Sequence, residues 1–87
     1  MSELLDELAA EVAAAPASAA ALTLYALVST LEYERAGYLF KLAKLRDLDP
    51  AQRALAYRLM ELMAEGGNTG PAWDAAKARI DDLVRGA

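Results

Sequence analysis

Twenty consecutive residues, Val12 to Leu31, carry no charge. A run of that length either spans a bilayer or is buried inside a folded protein. Its contents favour burial: Pro16 interrupts it, and Ser18, Thr23, Ser29 and Thr30 are scattered along it among alanines. The segment before it is acidic rather than basic, which argues against a secretory leader. The reading taken forward is a buried helix, with a membrane-attached helical protein using residues 12–31 as an alternative.

The residues around that run decide what kind of helix it joins. Alanine supplies 21 residues and leucine 15, which together make 36 of the 49 apolar positions. Both are strong helix formers. Val, Ile and Thr number seven in all, too few for half-buried strands. The fold class expected is all-α, in a single domain over residues 1–87. A chain this small buries about two-thirds of its unfolded surface, and alanine contributes little area per residue. No Cys or His is present, so neither a disulfide nor a Cys/His zinc site can add stability. Association is the remaining route, and a homodimer is expected.

Four helical segments can be placed. The first runs from a candidate N-cap at Ser2 to Ala14 or Ala15, with Leu4, Leu5, Leu8 and Val12 on one face and Glu3, Glu7 and Glu11 on the other. Pro16 ends or kinks it. The second runs from near Pro16–Ser18 to about Leu48, roughly 30 residues or ~45 Å at the helical rise. Its broad apolar face holds Leu24, Leu27, Val28, Leu31, Tyr38, Leu39, Leu42 and Leu45. A narrower strip of Leu22, Tyr33 and Phe40 lies opposite, with Gly37 beside it. A helix apolar on two sides belongs at the centre of a bundle or at a dimer seam. Asp49-Pro50-Ala51-Gln52 then reads as an N-cap, a first-turn proline and the second half of a capping box. The third helix runs from there to about Ala64 or Glu65 and is closed by Gly66-Gly67. Pro71 opens the last helix, whose stripe is Trp73, Ala76, Ile80, Leu83 and Val84. The architecture expected is a small bundle of about four helices, one of them long and central.

Net charge is −4, which argues against nucleic acid as a partner. The charge is uneven: residues 1–34 carry six acids and no base, and residues 35–58 carry six bases against two acids. That pattern suits complementarity between the beginning and the middle of the sequence, within one chain or between two. It also suits simple solvation of charged faces.

Candidate contact residues come from residue type and place. Arg35 projects from the broad apolar face between Leu31 and Tyr38, where a guanidinium cannot be left unpaired. It is either a polar device that fixes register or recognises a carboxylate, or a side chain whose stem crosses apolar surface and whose end reaches water. Tyr33, Tyr38 and Phe40 add the aromatics in which binding energy concentrates. Trp73 is either an anchor for a partner or a plug at the bottom of the bundle. Tyr57, on the polar side of the third helix, is a further contact candidate. Helical di-iron sites require Glu-x-x-His pairs, and the calcium-loop and phosphate-loop patterns are missing, so no metal or cofactor is expected.

The function expected from the sequence is non-catalytic. A small acidic cytoplasmic protein would bind another protein, and modulate or assemble it by helix-face docking through Tyr33, Arg35, Tyr38, Phe40, Tyr57 and Trp73. The alternative is a small-ligand binder or enzyme with a cationic pocket centred on Arg35, for which Lys41, Arg46, Gln52, Arg53 and Arg58 are the further parts.

Overall fold

A proline inside a helix removes one backbone donor and clashes with the preceding turn, and Pro16 has that effect here. The computed structural model describes residues 3–32 and 40–86. Helix α1 spans Glu3–Ala14, and helix α2 starts afresh at Ala19 and ends at Glu32. Ser18 bridges the break. Its hydroxyl donates to the Ala15 carbonyl at 2.7 Å and accepts from the Ala21 N–H at 3.0 Å, which makes it the N-cap of α2. The uncharged run is thus divided between two helices, and among the described residues no helix is long and apolar enough to cross a membrane. Ser2, the candidate cap of α1, lies outside the described residues.

The expected 30-residue central helix does not form. Lys41 is extended, with φ −113° and ψ 142°, and Leu42–Asp47 is a six-residue 3-10 helix, η1. Dimensions give the reason. The molecule measures 28 × 25 × 23 Å, whereas a continuous helix to Leu48 would be ~45 Å long. Such a helix would leave much of its apolar face beyond the reach of three helices of 12 to 15 residues. Breaking the chain lets Phe40, Leu45 and Leu48 turn back onto the same core as Leu24, Leu27, Val28 and Leu31.

The centre of the fold is therefore the α1–α2 pair. Helix α3, Pro50–Ala64, and helix α4, Pro71–Arg85, each lie against both members of that pair. The core is built from Leu5, Leu8 and Val12 of α1, Leu24, Leu27, Val28 and Leu31 of α2, Leu55 and Leu59 of α3, and Trp73 and Ile80 of α4. All are side chains that the 3.6-residue period places on inward faces. Among the described residues there is no strand, as expected for an all-α chain.

Local signals set the limits of α3. Asp49 accepts from the Gln52 N–H at 2.8 Å, and the Gln52 side chain accepts from the Asp49 N–H at 2.9 Å, a complete capping box with Pro50 in the first turn. At the other end Gly66 takes φ +80°, its N–H donates to the Met63 carbonyl, and the Gly67 N–H donates to the Leu62 carbonyl. That pair of bonds is the Schellman arrangement, and it needs a left-handed residue at Gly66. Asn68 then donates to the Leu31 carbonyl at 2.6 Å, which ties the α3–α4 loop to the end of α2.

Candidate interaction surface

The charge division along the sequence is partly satisfied within the chain. Arg58 of α3 pairs with Glu7 of α1, and the Gln52 amide donates to Glu11 at 3.0 Å. Both contacts sit on the open groove between α1 and α3, which Ala10, Ala51, Ala54 and Leu55 also line. Two of the parts proposed for a cationic pocket, Gln52 and Arg58, are therefore already engaged with carboxylates.

Of the expected docking residues, Phe40, Tyr57 and Trp73 are among the described residues. Tyr33, Arg35 and Tyr38 lie outside the described residues, as does Gly37. Phe40 is half-buried against the core. Trp73 is 2% exposed, and its indole N–H donates to Glu32 at 3.3 Å. These contacts place it in the core, against the end of α2. The physical reason is that the Gly70–Pro71 turn starts α4 directly above the core, so the first large side chain of the helix points inward. Tyr57 is 51% exposed on α3, in keeping with its place on the polar side of that helix.

Burial separates Leu24, expected on the broad apolar face of α2, from Leu22, expected on the narrower strip opposite, and from Leu42, expected on the broad face. Leu24 is covered, while Leu22 is 48% exposed and Leu42 is 75% exposed. Leu22 lines an open groove between α2 and η1, together with Ala19, Thr23, Ala26, Lys44 and Asp47. One wall is apolar and the other is charged. Asp47 holds the two elements together by accepting from the Thr23 hydroxyl at 3.0 Å, and Lys44 lies 3.8 Å from the same carboxylate. In a 3-10 helix, side chains three apart are eclipsed, so Leu42 shares a face with Leu45. Leu45 reaches the core and Leu42 stays outside it. Exposed single leucines are ordinary on protein surfaces. Leu22 differs in standing at a shaped groove, which makes the α2–η1 edge suited to contact.

A second cluster was not anticipated. Lys77 is only 9% exposed. Its ammonium donates to Asp81 at 2.7 Å, one turn further along α4, and stands 4.9 Å from the centre of the Tyr25 ring on α2. Burial pushes the Asp81 carboxyl upward. Hydrogen bonds from Lys77 and Tyr25, with the charges of Lys77 and Arg85, more than offset that and hold it below the usual carboxylate value. The signal for this cluster was present in the sequence. Trp73, Lys77, Ile80 and Val84 follow helical spacing, with an acid four residues after the lysine, but a lysine is read by type as solvated. The cluster ties α4 to α2, and its polar groups satisfy one another.

No protein-family model matches the chain, and no match to it was found among curated proteins or solved structures.

Proposed function

We propose that this protein acts without catalysis, by binding another protein and modulating or assembling it through the α2–η1 edge. The observation that carries this reading is the exposure of Leu22 at the mouth of a groove with one apolar and one charged wall. An apolar side chain of a partner helix would lie against Leu22, Ala19 and Ala26, while its polar neighbours meet Lys44 and Asp47. Covering one leucine supplies about 2 kcal/mol of association free energy, and the charged wall selects orientation more than it adds affinity. Supporting this division of labour, the remaining large leucines of α2 are taken up by the protein's own core.

The test is an affinity capture from native lysate with the tagged protein, compared with its Leu22→Asp variant. Circular dichroism should show both equally helical, because Leu22 is outside the core. The reading expects a bound protein that is lost or strongly depleted with the variant. An identical set of captured proteins would remove the α2–η1 edge as the docking surface.

A further inference from the structure

The charges left over after folding are arranged to meet in a second copy of the chain. Lys41, just before η1, and Leu42 and Arg46 on it are exposed, and neither cation has a partner among the described residues. On the first turn of α1, Glu3 and Asp6 are likewise exposed and unpaired among the described residues. Beside Asp6 an open groove runs between α1 and α4, lined by Leu5, Ala9, Ala72, Ala75 and Ala76. Alanine side chains leave room there for a larger apolar group. Asp6 rims this groove on the α1 side and Arg79 on the α4 side, so an approaching cation is directed to the α1 rim.

We infer that the protein self-associates, with Leu42 of one copy seated in the Ala-lined α1–α4 groove of the other, and Lys41 and Arg46 facing Glu3 and Asp6. A two-fold arrangement makes each such contact twice, so a modest patch is doubled. A lipid surface fits the same cations less well. Interfacial binding takes an extended apolar face, and here it would have one leucine. The Leu22 groove is lined by Lys44 and Asp47 of η1 and does not include Lys41, Leu42 or Arg46.

Sedimentation velocity of the full chain across micromolar to millimolar concentration tests it. The wild type should pass from monomer to dimer, and Leu42→Asp should raise the dissociation constant about tenfold or more, as expected for a central anchor. Two charge variants give the sharper test. Lys41→Glu with Arg46→Glu, and Glu3→Lys with Asp6→Lys, should each stay monomeric alone. Mixed, they should form a dimer again, because each reversed patch then meets its complement. Should the α1 variant fold poorly, Ala75→Gln, at an exposed helical position, fills the groove without changing charge and should also prevent dimerisation. A wild type that stays monomeric throughout, variants that dimerise like the wild type, or a mixture that fails to pair would each overturn the inference. None of these results bears on capture through Leu22, which stands or falls by the Leu22→Asp comparison.

Discussion

Lys77 donates to Asp81 at 2.7 Å along α4 while standing over the ring of Tyr25 on α2, so a nearly buried cation is satisfied by one residue of its own helix and one of its neighbour. Removing the lysine leaves Asp81 without its cation whatever replaces it, so an apolar chain of similar length and a small one differ only in packing. Lys77→Met, which also removes the cation from Asp81 but keeps the packing volume, should change stability by less than about 1.5 kcal/mol. Lys77→Ala loses the stem as well and should cost about 2–3 kcal/mol. Urea denaturation of the two variants separates volume from charge.

The same pair gives stability a pH dependence of known sign. The Asp81 carboxyl is held below its ordinary value in the folded protein. Its contribution is therefore complete above the unfolded carboxylate pKa of about 4 and is lost as pH falls through the lower folded value. Denaturant midpoints measured from neutral pH down to about pH 2.5 should show a steeper acid loss in the wild type than in Asp81→Asn. Parallel profiles would show that Asp81 is not the group responsible.

Trp73 is predicted to matter for folding rather than for recognition. Its ring fills the junction of α2 and α4 and its N–H meets Glu32. Trp73→Phe should cost about 1–2 kcal/mol for the lost hydrogen bond and volume. Trp73→Ala should cost about 3–5 kcal/mol, a large share of the stability of a domain this small. Thermal melts followed by circular dichroism provide the comparison. If Trp73→Ala melts like the wild type while losing a partner, the residue is a contact and not a plug.

The ends of α3 should respond to single backbone-directed substitutions. Asp49→Ala removes the accepting half of the capping box and should cost about 1 kcal/mol. Gly66→Ala forces a side chain into the left-handed region at φ +80° and should cost a further ~1 kcal/mol. The sites are far apart in the helix, so the double variant should show the sum.

The limits of α3 were legible because caps are local chemistry. Asp49 with Gln52, and Gly66 with Gly67, need no knowledge of the rest of the fold. The stop of α1 at Pro16 was legible for the same reason. The end of the expected long helix was not. The apolar spacing of Leu42 and Leu45 continues the pattern of α2, and Gly37, the helix-weakening residue between them and α2, lies outside the described residues. The extended Lys41 and the 3-10 turn after it bring Leu45 and Leu48 to the core, tertiary packing that spacing along one helix does not reveal. Continuous-helix spacing placed Leu42 on the broad apolar face, where the structure leaves it exposed, while Leu22 belongs to the narrower strip opposite. Lys77 was missed for the opposite reason, a charged type at an inward position whose partners lie on two helices.

The account turns on whether the α2–η1 edge is where another protein is held. Methyl-labelled NMR spectra of the full chain, recorded with and without the protein that it captures, test this most directly. Shifts should concentrate at Leu22, Thr23 and Ala26, with backbone changes at Lys44 and Asp47, while Leu55 and Leu59 of the core stay in place. Shifts confined instead to Tyr57 and Met63 of α3, with Leu22 unmoved, would contradict it.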